Sequence, residues 1–212
     1  MSISVVASRT HTYHGEAEIN FFSDDQEGLS VTIDTERCHI RSVEAKEEEY
    51  DRYAALFGSK EVMEKFAAGE TKTLEEMKER VSNFWAQRWY QHNPYSGLAV
   101  FKRDTDEFLG HIVLDHCGAP GRSELSYLFH HAYWGKGYGS ESVTAVVKEY
   151  APATVTEGYL LDKKPLDMIC ATVRQDNPAS IRILQKVGMQ LIEKKEKYGV
   201  IRDHYSINLA KK

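Results

Sequence analysis

The sequence predicts a mixed α/β domain built around one central, mostly antiparallel sheet. Three strand candidates, 97–102, 108–115 and 123–130, follow one another with short turn-rich links, which is typical of an antiparallel meander. A glycine-rich loop and a helix come next, and a strand over 166–173 precedes another helix and two last strands. This order of strands, helix, strand, helix and strands indicates one sheet with helices packed against it.

The first 36 residues are predicted to be an extension that carries no site chemistry. Strand-like composition at 3–6 and 29–33 is interrupted by turn-forming residues. An added sheet edge, a dimer arm and a flexible lead all agree with this pattern. We therefore divide the chain into an extension, 1–36, and a main domain, 37–212.

The main domain begins with a strand and a series of helices. Residues 37–43 alternate as in a strand, and helical patterns follow over 45–57 and 61–68. The clearest helix begins at Thr73, where Glu76 completes a capping box. Apolar residues that recur at helical spacing are expected to pack in the core: Leu74, Met77, Val81, Trp85 and Trp89. The alternative is that the aromatic residues Phe84, Trp85 and Trp89 wall a substrate cleft.

The remaining segments complete the sheet. A helix follows the glycine-rich loop, and 152–165 is expected to be an irregular insertion. A helix over 178–187 then precedes strands near 189–195 and 200–208.

Composition excludes several classes of protein. A length of 212 residues fits one domain, and 27 Lys and Arg against 32 Asp and Glu give a net charge of −5, which disfavours nucleic-acid binding. We expect no membrane span, because no apolar run approaches the ~18–20 residues needed. The N-terminus lacks the pattern of a secretory signal, so we expect a cytoplasmic protein. Three widely spaced cysteines, Cys38, Cys117 and Cys170, indicate neither a disulfide framework nor a metal site.

A glycine-rich turn predicts an anion-binding site. Gly135, Gly137 and Gly139 lie between a strand and a helix whose Val143 and Val147 face the sheet. Glycine permits positive φ and lets a ligand approach the main chain. The helix start adds unpaired N–H groups and a partial positive charge. Together these features are typical of a site for a di-anion such as pyrophosphate.

Two common nucleotide motifs do not match this turn. The P-loop requires Lys followed by Ser or Thr after its last glycine, whereas Lys136 is followed by Gly137. The dinucleotide fingerprint requires G-x-G-x-x-G at the start of a βαβ unit, whereas this turn reads G-x-G-x-G and closes a meander.

The segments 124–129 (ELSYLF), 133–139 (YWGKGYG) and 177–180 (NPAS), together with Gly188-Met189, resemble a known family. They are similar to motifs of the GNAT superfamily of acyl-CoA-dependent N-acetyltransferases, in its RimJ/RimL-type branch. The resemblance spans about 37–209. It implies a sheet opened into a V between the strand ending at Phe129 and the strand from Leu166, with acetyl-CoA as co-substrate in the gap.

The resemblance also implies which residues bind the cofactor. The pantetheine arm is expected beside the main chain of Leu128, Phe129 and His130, and Asn177 is expected to contact it from the second strand. The pyrophosphate is expected on the N–H groups of the turn, which comprises Gly135, Lys136, Gly137, Tyr138, Gly139 and Ser140.

The catalytic residues that the resemblance implies are Glu124 and Ser180. Glu124 is expected to act as general base through a water, with Asp115 and His116 as reserve candidates. The hydroxyl of Ser180 is expected to donate to the departing sulfur, although a first-turn residue beside an Asn N-cap is often only exposed to solvent.

Two positions depart from the wider superfamily. Trp134 stands where Arg or Gln is usual, and Leu184 replaces the tyrosine that often protonates the thiolate, so that the general acid is left unidentified.

The sequence therefore favours an N-acetyltransferase that acts on a primary amine, either a protein N-terminus or a small amine, by direct attack. A noncatalytic acyl-CoA sensor and an enzyme that binds ATP or NAD are the alternatives. We expect no nucleic-acid or membrane partner and no metal, and a homodimer is possible.

Overall fold

The computed structural model describes residues 9–209. Its strands are β1 (Arg9–His14), β2 (Glu18–Asp24), β3 (Gly28–Asp34), β4 (Cys38–Ser42), β5 (Gly97–Lys102), β6 (Phe108–His116), β7 (Arg122–Phe129), β8 (Leu160–Leu161), β9 (Lys164–Pro165), β10 (Met168–Arg174), β11 (Gln190–Lys197) and β12 (Val200–Asn208). Its α-helices are α1 (Glu47–Phe57), α2 (Lys60–Met63), α3 (Leu74–Arg80), α4 (Gln87–Tyr90), α5 (Tyr138–Ala145), α6 (Ala151–Thr156) and α7 (Pro178–Lys186). Val81–Ala86 and Val146–Tyr150 are π-helical, and His131–Tyr133 forms a 3-10 turn.

A ten-stranded sheet runs in the order β1-β2-β3-β4-β5-β6-β7-β10-β12-β11. Neighbouring strands are antiparallel except β7 and β10, which are parallel. This confirms the predicted mixed α/β class with a mostly antiparallel sheet. The strands β5 and β12 have the predicted bounds, while the predicted helix 61–68 shortens to the single turn of α2.

The parallel pair separates soon after it forms, which gives the predicted V. Pairing between β7 and β10 is restricted to Arg122 with Met168, Ser123 with Ile169 and Glu124 with Cys170. Both strands then continue, to Phe129 and Arg174, without pairing to each other. The polar main-chain groups that face this gap are available to a ligand.

Residues 9–34 add three strands to the edge of the sheet, beside β4. Of the three alternatives for the extension, the structure has the added sheet edge. Burial explains why, because Ile19, Phe21 and Val31 are almost completely enclosed and the ring of Phe21 stacks 5.8 Å from that of Tyr150. The strand predicted at 3–6 lies outside the described residues.

The helix that begins at Thr73 is interrupted by a π-helical segment. Thr73 accepts from the N–H of Glu76 and the Glu76 side chain accepts from the N–H of Thr73, which confirms the capping box. The wider π turn changes which way later residues face. Trp85 consequently packs with the residues of α1, whereas Trp89 joins the larger core on the other side.

The prediction that 152–165 is irregular is wrong for its first part. The helix that begins at Tyr138 continues through a π-helical segment into α6, which includes Pro152. Proline removes a helical donor and crowds the preceding turn, and the π-helical turn directly before α6 provides room for it. Residues after Thr156 form the two-residue pair β8 and β9.

The sheet has two covered faces, which we name by the helices on them. Val113 and Leu128 point to the α1 face, where they pack with Trp85 and residues of α1. Leu125 and Phe129 point to the α7 face and pack with Leu184 and residues of α5. None of the helices in 9–209 has the length and apolar character that crossing a bilayer requires.

Candidate active site

A cleft of about 1080 Å³ lies at the gap between β7 and β10. Its walls are the outer halves of the two strands, the first turn of α7, the glycine turn before α5, and the loop between α2 and α3. The cleft reaches both faces of the sheet, because Trp85 of the α1 face and Ser180 of the α7 face both line it.

The glycine turn has the backbone geometry expected of an anion cradle. Gly135 and Gly137 have φ of 72° and 90°, a region that glycine adopts without strain. Among the described residues, no acceptor takes the main-chain N–H groups of 135–140. A Cβ on Gly135 would meet no heavy atom within 4 Å, so the main chain there is open to a ligand.

Arg37 fixes this turn, which the sequence did not indicate. Its Nε donates to Glu141 at 2.7 Å and its Nη1 donates to the carbonyl of Lys136 at 3.0 Å. Its guanidinium also lies 4.9 Å from the ring centre of Tyr138. Thr35 donates to the same Glu141 carboxylate at 2.6 Å. Residues on both sides of the boundary between the extension and the main domain thus hold the first turn of α5, and Arg37 places a cation beside it.

The end of β7 directs a main-chain donor into the gap. His130 donates its N–H to Leu109 of β6, and N–H groups alternate in direction along a strand, so the N–H of Phe129 points away from β6. The carbonyl of Phe129 accepts from Nε1 of Trp134 at 2.8 Å. This bond gives the unusual tryptophan a structural role, which is to close the end of the strand.

Other residues predicted to bind the cofactor lie where the strand and turn place them. Leu128 is buried, on the α1 face. His130 is half-buried, and burial lowers the pKa of its imidazole. Lys136 is exposed on the turn, with its ammonium 5.7 Å from the ring centre of Tyr133.

Asn177 and Ser180 meet at the first turn of α7. Asn177 accepts from the N–H of Ser180 at 3.2 Å and so caps the helix. The hydroxyl of Ser180 lies 2.8 Å from that of Tyr127, whose side chain comes from β7. Burial raises the pKa of Tyr127 to about 12, so that its phenol stays protonated. Sequence reasoning missed Tyr127, although its alternation with Glu124 along the strand places it on the α7 face.

Glu124 lies at the point where the gap begins and is paired with a cation. Its Oε1 lies 2.6 Å from Nζ of Lys197, and each side chain is 30% exposed. Burial lowers the pKa of Lys197, but the hydrogen bond and charge of Glu124 outweigh it and the net pKa is raised. Lys197 is therefore a cation at neutral pH. The second oxygen of Glu124 accepts no hydrogen bond from the described residues.

The reserve candidates for the base are both engaged in ion pairs. Asp115 accepts from Arg88 at 2.6 Å, and His116 contacts Asp162. Glu124 is also ion-paired, but it differs from both in lying on β7 at the last pair before the gap opens. In the part of the chain that the structure describes, no group of His, Cys, Asp or Glu side chains is arranged to hold a metal ion.

Aromatic residues close the α1 side of the cleft. Trp85 packs on His111, with ring centres 4.2 Å apart, and Tyr53 hydrogen-bonds Nδ1 of His111 at 2.7 Å. Burial, with a smaller contribution from the charge of Arg80, lowers the pKa of His111 to about 3. His111 is therefore neutral at physiological pH. Of the three aromatic residues that the sequence offered as walls of a substrate cleft, Trp85 lines the cleft. Trp89 is buried in the core, and Phe84 is exposed.

The residues present fit an acyl-CoA. Unpaired N–H groups at a helix start suit a pyrophosphate, and the open gap between two strands suits an extended amide-bearing arm that needs main-chain partners. A sheet opened at one parallel pair, with an anion cradle after β7, defines the class of GNAT-type acyltransferase folds.

Comparison with known proteins establishes the family. Residues 37–190 match the acetyltransferase (GNAT) domain family, so the chain belongs to that family and is an N-acetyltransferase. Among curated proteins it is similar to the uncharacterized N-acetyltransferase YoaA of Bacillus subtilis, with 26% identity over 81% of this chain and 86% of that protein. It is also similar to YnaD of the same organism, with 31% identity over 43% of this chain and 48% of that protein.

Solved structures agree in fold. The chain is similar to a GNAT-family acetyltransferase from Bacillus anthracis, with a TM-score of 0.64 and 21% identity over 82% of this chain and 95% of that one. It also resembles RimL, a ribosomal L7/L12 alpha-N-protein acetyltransferase solved with coenzyme A, with a TM-score of 0.64 and 16% identity over 82% and 95% of the two chains. At these identities the likeness concerns the fold.

Proposed function

We propose that the protein moves an acetyl group from acetyl-CoA to a primary amine, on a protein N-terminus or a small molecule, by direct attack of the amine. The observation that carries this proposal is the row of unpaired N–H groups at 135–140 beside a gap between β7 and β10. These N–H groups would hold the pyrophosphate, and Asn177 would contact the pantetheine arm while it caps α7.

The two faces of β7 divide the chemistry. Glu124 and Tyr127 lie on opposite faces of one strand because their positions differ by an odd number of residues. The amine would approach from the α1 face, where the free oxygen of Glu124 accepts its proton directly or through a water. Removing that proton costs about 1 kcal/mol for an α-amine near pH 7 and about 4–5 kcal/mol for a lysine, because their pKa values differ.

The thioester would be polarised from the gap and released on the α7 face. The N–H of Phe129 points into the gap and would stabilise the negative charge that develops on the carbonyl oxygen. Ser180, supported by the protonated Tyr127, would donate to the departing sulfur. The ammonium loses two protons in all: one passes to Glu124 and on to solvent before attack, and the second, lost as the C–S bond breaks, balances the proton that sulfur gains. The amine attacks the thioester carbon directly, so no covalent enzyme intermediate forms.

Thiol release with a panel of amines tests this function. We expect CoA to appear in equal amount with an acetylated amine identified by mass spectrometry. Binding of CoA without turnover on any amine would instead favour a noncatalytic sensor. Displacement of CoA by ATP or NAD would favour the nucleotide-binding alternative.

We propose a catalytic domain over 37–212 with 1–36 as its extension, a cytoplasmic location, and a homodimer as the alternative to a monomer. Light scattering of the purified chain distinguishes the two oligomeric states.

A further inference from the structure

Arg202 is a buried cation in the wall of the cleft. It is only 4% exposed, and its Nε is buried with no hydrogen-bond partner among the described residues. Its two hydrogen bonds are long, 3.4 Å from Nη1 to the carbonyl of Ala67 and 3.3 Å from Nη2 to that of Thr172. A guanidinium has five N–H groups, so most of its donor capacity is unused.

Within residues 9–209 no carboxylate pairs with Arg202. The acidic groups near it are Glu124 and Asp176, and each is bound to another cation, Lys197 and Arg174. Burial lowers the pKa of the Arg202 guanidinium, since the cost of removing it from water is not balanced by an ion pair.

Arg202 lies on the α1 face, the face from which we propose that the acceptor amine approaches. In the antiparallel register Arg202 and Ser206 of β12 share a face, Ser206 is opposite Cys170, and Cys170 is level with Glu124. Arg202 and Glu124 therefore lie on the α1 face, on opposite sides of the gap. The cations of Lys197 and Arg202 both lie near the ring of Tyr198, 5.2 and 5.7 Å from its centre.

We propose that Arg202 binds a carboxylate of the acceptor, so that the preferred substrates are primary amines that also carry a carboxylate. The guanidinium fork matches a carboxylate in geometry and charge. The amine would lie toward Glu124 while the carboxylate lies toward Arg202. This inference rests on the proposed function, because it names the substrate class of the same site.

Matched substrates test the inference. The panel pairs ω-amino acids of increasing length with their carboxamides, and dipeptides Ala-Asp with Ala-Asn as C-terminal amides, which distinguishes a small amino acid from an acidic residue in a peptide. We expect at least one carboxylate to exceed its amide in kcat/KM by about tenfold or more, the size typical of a hydrogen-bonded charge. Equal use of every pair would overturn the inference while leaving the acetyltransferase function intact, and no turnover with any amine would instead overturn the function.

Variants separate binding from structural support. We expect Arg202→Met to abolish the preference through KM of the carboxylate while the amide partner keeps its kcat/KM, and Arg202→Lys to retain part of it. Arg174→Met is the control, because Arg174 is opposite Arg202 in the register but bound to Asp176. An equal loss of kcat/KM on the carboxylate and its amide would show a structural role and overturn the inference. If Arg202→Met does not fold, the ratio of kcat/KM for carboxylate over amide is compared between wild type and Arg202→Lys.

The cofactor is the other source of an anion. Acetyl-CoA and its 3′-dephospho form are compared in wild type and Arg202→Met. We expect the same small change in KM for both. A loss confined to acetyl-CoA would show that Arg202 binds the 3′-phosphate and would overturn the inference.

Discussion

The hydroxyl groups of Tyr127 and Ser180 lie 2.8 Å apart, although one comes from β7 and the other from the first turn of α7. Leu184, at the position where the family resemblance implies a tyrosine that protonates the thiolate, is buried and has no hydrogen-bonding side-chain group. A phenol thus reaches the first turn of α7 from the sheet and not from the helix.

We expect Ser180→Ala to lower kcat by about 100- to 1000-fold, the range of a hydrogen-bond donor to a developing charge. Tyr127→Phe should lower kcat less, because its phenol acts through Ser180. The KM for acetyl-CoA should change little. Because the two hydroxyls form one hydrogen-bonded pair, the double variant should lose less than the product of the single losses. Fully multiplicative losses, measured by steady-state kinetics, would contradict a shared role.

The same pair makes a prediction about pH. Burial raises the pKa of Tyr127 to about 12, so the phenol remains protonated throughout the usual assay range. We therefore expect wild type and Tyr127→Phe to have the same shape of kcat against pH between pH 8 and about 10. A fall in the kcat of wild type that Tyr127→Phe removes would show that the phenol ionises during the assay.

Gly137 is expected to be required for acetyl-CoA binding. Its φ is 90°, and a Cβ there would lie 3.0 Å from Nη2 of Arg37, which holds the turn. We expect Gly137→Ala to raise the KM for acetyl-CoA about tenfold, since a residue forced into this region is strained by about 1–3 kcal/mol and the turn must shift.

Gly158→Ala is the matched control. Gly158 has a φ of 83°, a Cβ there would meet no heavy atom within 4 Å, and it lies after α6, outside the cleft. Both variants should lose similar thermal stability. Equal effects on KM would refute a specific role for the turn.

Glu124→Gln should lower kcat/KM at neutral pH by about 100-fold, the order expected of a general base. The loss should shrink as pH approaches the amine pKa, because an amine that is already neutral no longer needs a base. Asp115→Asn, which removes a carboxylate bound to Arg88, serves as the control. A loss that is independent of pH would assign Glu124 to binding and not to proton removal.

His111 links the stability of the protein to pH. Burial lowers its pKa from 6.5 to about 3, so between these values the unfolded chain binds a proton that the folded chain does not. The free energy of unfolding should therefore fall as pH decreases from about 6.5 toward 3. Above pH 6.5 His111 is neutral in both states and lowers the stability no further. We measure the free energy of unfolding by denaturant at several pH values. Plotted against pH, it should have a shallower slope for His111→Gln than for wild type.

The exposed His14 supplies the comparison for this measurement, because its side chain is 72% accessible. His14→Gln should keep the wild-type slope. The slope is the relevant quantity, since His111→Gln also changes the contacts with Tyr53 and Trp85 at every pH. An unchanged slope in His111→Gln would contradict the buried neutral imidazole.

Local patterns made most of the fold predictable. The capping box at Thr73 and the glycines at 135–139 are set by neighbouring residues, so the sequence indicated both. The helical course of α6 was not predictable, because Pro152 normally argues against a helix and the π-helical turn that tolerates it has no sequence signal.

Long-range contacts account for what sequence reasoning missed in the site. Lys197, Tyr127 and Arg37 act on Glu124, Ser180 and Glu141, from which they are separated by 73, 53 and 104 residues. The residues next to Lys197, Tyr127 and Arg37 in the sequence do not indicate these distant contacts. Only the folded sheet, which brings the end of β11 beside β7, α7 beside β7, and Arg37 beside α5, identifies them.

The most direct test of the proposed cofactor cradle is an amide-resolved NMR titration of the isotopically labelled protein with acetyl-CoA. We expect the N–H signals of Gly135, Gly137 and Gly139 to shift most, together with that of Phe129 at the gap, and to saturate at one equivalent. Saturable binding that leaves these four signals in place would contradict the cradle and the acetyl transfer that depends on it.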